Sequence, residues 1–165
     1  MEDECAESPE AQARRAYATA VKLLGPRDHS RQELRRKLLK RDFDDDLVES
    51  TLDELESMNY LDDEAYACRF AEQRAGQGQG PLSIRAKLAE RGVESRVISS
   101  AIDTVQLTWS EVASEALQRK FTPEQLADAD TKVRGRIARF LASRGFSTAD
   151  ALAALRDANK EQAFD

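Results

Sequence analysis

Tyr60–Val93 reads YLDDEAYACRFAEQRAGQGQGPLSIRAKLAERGV, and this stretch decides the fold of the chain. Asp62 is a good N-cap residue for a first helix, because its carboxylate can accept a hydrogen bond from a free backbone N–H group. Ile84 and Leu88 lie about one turn apart in a second helix, and Gly92 is the expected residue at its carboxyl end. The stretch therefore predicts two helices joined by a glycine-rich turn.

The turn has the sequence GQGQGP at residues 76–81. It is rich in glycine, as phosphate-binding loops are. Glycines ahead of a helix can hold phosphate, but this turn lacks the G-x-x-x-x-G-K-[ST] pattern and no predicted strand precedes it. Pro81 suits the first turn of the helix that follows. We interpret residues 76–80 as a flexible turn.

The second half of this stretch has counterparts before and after it, at offsets of 50 and 53 residues. The apolar stripe, the basic residue before the helix end and the helix end itself recur together without a gap. The corresponding residues are Leu34, Ile84 and Ile137; Leu38, Leu88 and Leu141; Arg41, Arg91 and Arg144; Asp42, Gly92 and Gly145; Phe43, Val93 and Phe146; Val48, Ile98 and Ala151; and Leu52, Ile102 and Leu155.

Repeats of this length predict an all-α fold of three tandem three-helix, helix-turn-helix-like repeats that form an elongated, curved array. Residues 1–10 are predicted to be a disordered acidic tail. The three repeats are expected at residues 11–58, 59–107 and 108–160.

Capping signals mark the expected helix ends. A first helix is predicted from about Pro9 to Leu24. Ser30–Glu33 and Thr108–Glu111 are capping boxes, in which the hydroxyl and the carboxylate each bond a free backbone N–H group. Asp42 is expected to end the second helix, because aspartate tolerates a left-handed conformation. Ser147 begins the last helix, whose predicted apolar residues are Ala151, Leu152 and Leu155.

Composition indicates a helical protein with a thin core, since 41% of the 165 residues are hydrophobic but only 6% are aromatic. No apolar run approaches the roughly 18 residues that a membrane span needs, and no signal peptide is recognisable. Cys5 and Cys68 do not make a disulfide framework. We therefore expect a cytoplasmic monomer that does not enter membranes.

Charges are sorted along the chain. Residues 27–41 hold seven bases against two acids, and residues 42–64 hold eleven acids and no base. Residues 132–144 hold five bases and no acid. One such run is usually a solvated helix face, but the alternation predicts distinct basic and acidic faces suited to a patterned partner. The net charge of −6 argues against a protein that coats nucleic acid by bulk electrostatics alone.

Residue types that catalyse reactions or bind metal are scarce. His29 is the single histidine, and we interpret it as a surface residue in a loop before a helix cap. No Cys/His cluster has metal-ligand spacing, and the acidic run at residues 42–56 lacks the spacing of a calcium loop. We therefore expect no enzyme activity, no cofactor and no metal, and instead an extended face for a large partner.

Three-helix units with a short second turn also resemble helix-turn-helix DNA readers, whose third helix enters the groove. The third helix of the first unit is strongly acidic, so phosphate would repel it. The basic second helices, around Arg35–Arg41 and Arg134–Arg144, can still lie near a phosphate backbone. The alternative function is therefore a DNA-binding protein that acts on its own and binds duplex with steep salt dependence.

Two groups of residues resemble the signature of the RecX family of recombinase regulators. In the second repeat they are Tyr60-Leu61-Asp62-Asp63, Tyr66-Ala67, Phe70, Arg74, Gly80-Pro81, Ile84, Leu88 and Arg91-Gly92-Val93. In the first repeat they are Arg27–Ser30 and Gln32–Arg35. The resemblance extends from about Ala16 to Leu155 and includes the tandem helical architecture. We interpret Tyr60, Asp62 and Tyr66 as structural residues.

This resemblance implies a non-enzymatic modulator of the RecA recombinase, active in DNA repair, homologous recombination and the SOS response. Members of the family bind RecA and its filaments on single-stranded DNA, inhibit ATPase and strand exchange, and limit filament extension. We expect a basic set of residues to meet filament acids or DNA phosphate, with weak direct binding to single-stranded or duplex DNA, and an acidic set to meet basic RecA surface. The basic set is Arg35, Arg36, Lys40, Arg85, Arg136 and Arg139, and the acidic set is Asp44, Asp45, Asp46 and Glu49.

Overall fold

The structure, a computed structural model, describes residues 7–127 and 130–161, and these parts of the chain are helical and contain no β-strand. The helices are α1 (Pro9–Leu24), α2 (Arg31–Leu39), α3 (Asp45–Ser57), α4 (Asp63–Gly76), α5 (Pro81–Glu90), α6 (Ser95–Asp103), α7 (Trp109–Lys120), α8 (Pro123–Ala127), α9 (Thr131–Arg144) and α10 (Thr148–Glu161). The predicted all-α fold of three-helix repeats is confirmed.

The chain divides into two compact units. The first contains the described residues up to Tyr66 together with Arg91–Val93, and the second contains Ala67–Glu90 and the described residues from Glu94 onward. The repeat boundaries expected after residues 58 and 107 stay a prediction.

The first unit is a bundle in which α1, α2 and α3 pack against one another. Ala16 and Ala20 are fully buried, and these small side chains let α1 lie close to its neighbours. Residues 1–6 of the predicted tail lie outside the described residues. Ser8 Oγ accepts a hydrogen bond from Ala11 N at 3.2 Å and caps α1, which begins at Pro9. The predicted tail therefore does not extend to residue 10. The other core residues are Leu34, Leu38, Phe43, Val48, Leu52, Leu55 and Leu61.

In the second unit α5 packs on α6, and α10 packs on α7, α8 and α9. The short helix α8 was not expected. Its start is a further capping box, since Gln125 N donates to Thr122 Oγ1 at 3.4 Å and Thr122 N donates to Gln125 Oε1 at 3.2 Å.

The predicted apolar face of the last helix is wrong at Leu152, which is 49% exposed, whereas Ala154 is fully buried. Helical spacing alone did not resolve which side of this alanine-rich helix packs inward.

The predicted helix caps are confirmed. Ser30 with Glu33 and Thr108 with Glu111 form complete capping boxes. Asp62 Oδ1 accepts a hydrogen bond from Ala65 N at 2.9 Å at the start of α4. Ser147 Oγ accepts a hydrogen bond from Asp150 N at 3.1 Å at the start of α10. These bonds satisfy N–H groups that have no partner inside their own helix.

The three predicted helix ends share one backbone conformation. Asp42, Gly92 and Gly145 have φ angles of 61°, 79° and 86°. The residues that follow, Phe43, Val93 and Phe146, are each buried. The alignment of the repeats therefore predicts both the left-handed residue and the apolar residue after it.

Two of these turns pack against the start of another helix, and we call these contacts the first and second joints. In the first joint, within the first unit, Ser30 Oγ donates a hydrogen bond to Arg91 O at 2.5 Å. A Cβ atom added to Gly92 would lie only 2.5 Å from Gln32 Cβ. Glycine is needed at residue 92 for its positive φ and also for this close approach.

The second joint repeats the contact inside the second unit. Gly80 N donates to Arg144 O at 2.8 Å, and Leu82 N donates to Gly145 O at 3.0 Å. A Cβ atom at Gly80 or at Gly145 would overlap the opposite backbone. The interpretation of residues 76–80 as a flexible turn is therefore wrong at Gly80, because this glycine forms a close-packed contact.

Glu33 connects several segments of the first unit. Its Oε2 accepts hydrogen bonds from Ser30 N and from the Tyr66 hydroxyl, both at 3.3 Å. Its Oε1 lies 3.4 Å from Arg27 and 3.7 Å from Arg91. Burial, followed by the negative charge of Glu33, raises the pKa of Tyr66 to about 12. Tyr66 is thus structural as expected.

The interpretation of His29 as a surface residue is wrong, since its side chain is only 3% exposed. His29 Nδ1 lies 3.0 Å from Arg27 O and therefore donates to it. His29 Nε2 accepts from Arg27 Nε at 3.3 Å and from Lys37 Nζ at 2.5 Å. Both nitrogens are satisfied only by the neutral ring, and burial together with the Lys37 charge lowers the pKa of His29. The loop position of this residue gave no signal of its burial.

Gly145→Ala should destabilise the chain by about 2–4 kcal/mol, because alanine is strained at positive φ and its Cβ would overlap the start of α5. Gly135→Ala is the matched control. Nothing lies within 4 Å of a Cβ at this position in α9, so it should raise stability by about 0.5–1 kcal/mol. Urea unfolding of both variants measures the difference, and a Gly145→Ala protein as stable as the wild type would contradict the second joint.

His29 should make the chain less stable as pH falls. Its folded-state pKa is lowered, so the unfolded chain binds the proton more readily and stability is lost from about pH 6.5 downward. His29→Gln should lose less stability between about pH 7.5 and about pH 5.5 than the wild type. The carboxylates titrate in both proteins, so the difference between their urea midpoints isolates the ring. Equal pH dependence would show that His29 is not buried as a neutral group.

Candidate partner-binding surfaces

The second helix of the first unit, α2, has an apolar side and a basic side. Leu34 and Leu38 are fully buried. Arg31 and Arg35 lie one turn apart and reach toward α3, where acidic residues face them. Residues four apart lie on the same face of a helix. Arg31 and Arg35 therefore both place their guanidinium groups against α3.

An ion-pair network joins these two helices. Arg31 Nη2 lies 2.7 Å from Glu49 Oε2 and 2.8 Å from Asp53 Oδ1. Arg31 Nη1 lies 2.7 Å from Glu56 Oε2. Arg35 Nε donates to Glu49 Oε1 at 2.6 Å, and Arg35 also pairs with Asp45. Hydrogen bonds from Arg35, and then from Arg31, hold the pKa of the Glu49 carboxyl below its ordinary value.

Three of the residues expected to meet a partner therefore bind one another. Arg35, Asp45 and Glu49 lie in the same network, so the basic and acidic runs of the sequence partly neutralise each other. The expectation of two separate faces is wrong for this part of the first unit. The sequence signal for this pairing is the opposite charge of α2 and α3, which are consecutive helices of one repeat.

The other expected residues of this unit are exposed. Arg36 lies on the outer side of α2, and Lys40 lies one turn later at the carboxyl end of this helix. Asp44 and Asp46 lie at the start of α3, and the Asp44 side chain makes no capping hydrogen bond. Lys40, Asp44 and Asp46 present charge to solvent near the network.

The second repeat keeps the geometry of the network but not its charge balance. Arg85 and Ser99 correspond to Arg35 and Glu49 at the offset of 50 residues. Arg85 Nη1 donates to Ser99 Oγ at 3.1 Å. Because a hydroxyl replaces the carboxylate, this contact fixes the guanidinium group without neutralising it.

The expected basic residues of α9 are exposed, and aromatic rings accompany them. The Arg136 guanidinium lies 5.8 Å from the ring centre of Phe121. Phe121 in turn meets Phe140 edge to face, with ring centres 5.8 Å apart. Arg139 lies one turn from Arg136 on the exposed side of the helix. The aromatic support of Arg136 is not visible from sequence, because Phe121 lies in the turn before α8.

Two kinds of function have no support in the part of the chain that the structure describes. No group of three or more His, Cys, Asp or Glu side chains there could hold a metal ion. None of the helices described is long and apolar enough to cross a membrane.

Comparison with family models matches two parts of the chain. Residues 16–55 match the model described as RecX, first three-helix domain. Residues 62–102 match the model described as RecX, second three-helix domain. These matches include the ion pairs of Arg31 and Arg35 with Asp45, Glu49 and Asp53, the Arg85 contact and both helix starts of the joints.

Similar proteins and structures carry the same family name. The chain is 39% identical over 137 residues to the regulatory protein RecX of Xanthomonas oryzae pv. oryzae, covering 83% of this chain and 84% of the relative. It is 39% identical over 128 residues to the regulatory protein RecX of Pseudomonas putida, covering 78% and 81%. The crystal structure of RecX from Lactobacillus salivarius shares the fold with a TM-score of 0.79 at 19% identity, covering 90% of this chain and 97% of that one. A second RecX crystal structure has a TM-score of 0.74 at 22% identity, covering 88% and 72%. The chain belongs to the RecX family of regulatory proteins.

Proposed function

We propose that this protein regulates the RecA recombinase by binding RecA and its filaments on single-stranded DNA. It inhibits ATP hydrolysis and strand exchange and limits filament extension, acting as a binding protein rather than as an enzyme. The observation that carries the proposal is the 39% identity to regulatory proteins of the RecX family over 83% of the chain. The exposed charges give this function a physical basis.

The partner surface we propose consists of exposed charged side chains. The basic residues are Arg36, Lys40, Arg85, Arg136 and Arg139, and the acidic residues are Asp44 and Asp46. Exposed charges of this kind steer association and fix its register more than they add affinity. Arg35, Asp45 and Glu49 contribute indirectly, because their ion pairs hold α2 and α3 in place.

A RecA-dependent ATPase assay on single-stranded DNA tests the function. We expect inhibition at well below one copy of this protein per RecA, because blocking filament growth affects many RecA subunits. The same protein should bind duplex DNA weakly in the absence of RecA. Unchanged ATPase activity together with tight duplex binding would contradict the proposal and support a DNA-binding protein that acts on its own.

Charge reversal tests the proposed surface. Arg36→Glu with Lys40→Glu should raise the concentration needed for half-inhibition roughly tenfold, since two rim charges contribute about 1.4 kcal/mol together. Lys120→Glu with Arg156→Glu makes the same change in net charge at exposed residues outside the proposed set, and it should have little effect. Helicity and urea stability should match the wild type in both proteins. Equal inhibition by the two double variants would show that Arg36 and Lys40 do not contribute to the partner surface.

A further inference from the structure

Lys37 in α2 faces a buried base. Its side chain is half-buried, and its Nζ atom lies 2.5 Å from His29 Nε2. The His29 ring is buried, and its Nδ1 atom donates to Arg27 O at 3.0 Å. This bond fixes the tautomer and leaves Nε2 without a hydrogen, so the basic nitrogen of the ring points at the amine. An amine and a proton acceptor are thus held within hydrogen-bond distance of each other.

Nearby cations disfavour the charged form of this amine. Arg27 Nε donates to the same His29 nitrogen at 3.3 Å, and Arg41 Nη1 donates to Lys37 O at 2.8 Å. Burial, followed by the charge of Arg27, lowers the pKa of Lys37; Glu33 opposes this shift and Arg41 adds to it. A larger fraction of the amine is therefore neutral than at an ordinary lysine, and only the neutral amine has a lone pair that can attack an electrophile.

The contact exceeds what the fold requires of it. Arg27 already donates to His29 Nε2, and one lone pair needs only one donor. Lys37 adds a second cationic donor to the same nitrogen, which costs like-charge repulsion. In the α2–α3 network, by contrast, Arg31 and Arg35 face carboxylates. The cost is repaid if the amine beside His29 is used in its neutral form.

We propose that Lys37 is a modification site that accepts an acyl group from small acyl phosphates. The Nζ atom attacks the acyl carbon and forms an N–C bond, while the C–O bond to the phosphate breaks and the phosphate leaves with that electron pair. His29 Nε2 takes the proton that the nitrogen loses and passes it to the departing phosphate. The products are an N-acyl lysine and inorganic phosphate, and no oxidant or reductant takes part.

The charges around Lys37 select this class of acyl donor. The phosphate of an acyl phosphate is directly bonded to the reacting carbonyl, so its negative charge comes close to the cations beside the amine. The Arg27 side chain is 57% exposed and pairs with Glu33 only at 3.4 Å, and Arg41 is exposed. Both guanidinium groups can therefore attract the phosphate. A thioester has no anion at this position.

Acylation changes the charge of α2 and leaves its contacts in place. The amide N–H of an acylated lysine can still donate to His29 Nε2, whereas the positive charge is lost. One of the seven bases of residues 27–41 is thereby neutralised next to Arg36. The reaction needs no recombinase, so it goes beyond the proposed function and links the charge of this helix to the supply of acyl phosphate.

Incubation of the full chain with acetyl phosphate, followed by peptide mass spectrometry, tests the proposal. Lys37 should be acetylated at least about tenfold faster than Lys22 and Lys120, although these two lysines are exposed, because a positioned base and a lowered pKa both raise its rate. In guanidinium chloride above the unfolding transition, the three rates should become similar. A native rate at Lys37 no higher than at the exposed lysines would overturn the proposal, as would a preference for Lys37 that persists in the unfolded chain.

Two variants test the surroundings of the amine. His29→Gln keeps an acceptor but cannot take a proton, so it should lower the Lys37 rate several-fold and leave the Lys120 rate unchanged. Arg27→Gln keeps the test decisive if His29→Gln fails to fold. Arg27 is exposed, so its variant should keep the helical circular dichroism of the wild type and still slow acetylation of Lys37. A wild-type rate at Lys37 in either folded variant would overturn the proposal.

Discussion

The close approach of a glycine turn to the start of another helix is the constraint on which the rest of the structure depends. Gly92 lies against Gln32 in the first unit, and Gly145 lies against Ser83 in the second. In both joints, donors at a helix start bond to carbonyl oxygens where another helix ends, so each contact satisfies carbonyl groups that a helix cannot satisfy internally. Asp42 has the same left-handed conformation, but within the described residues no helix start bonds to its turn, and there a side chain is tolerated.

The distribution of charge follows from packing rather than from composition. In the first unit, Arg35 and Glu49 neutralise each other across α2 and α3. In the second repeat, Arg85 makes the corresponding contact with Ser99 and keeps its charge available. The same two positions thus hold an ion pair in the first repeat and a cation bonded to a neutral hydroxyl in the second. Such a division suits a protein that recognises a large, patterned partner.

Sequence was sufficient for the features that depend on local chemistry. Caps such as Ser30, helix ends such as Gly145 and stripe residues such as Leu88 follow from which groups a helix leaves unsatisfied and which face it buries. It was insufficient where distant segments decide the outcome. The loop position of His29 indicated a surface residue, yet Arg27 and Lys37 satisfy its ring in a buried site. The pairing of Arg35 likewise depends on which helices pack together.

Native-state hydrogen exchange of the Gly80 and Leu82 amides tests the central claim most directly. These N–H groups precede or begin α5, where amides usually exchange freely, but here they donate to Arg144 O and Gly145 O. The joint predicts that both amides are protected nearly as strongly as the buried helical amides of Ile137 and Leu141. Exchange at the rate of an unprotected turn would contradict the account, because the turn after α9 would then not hold the start of α5.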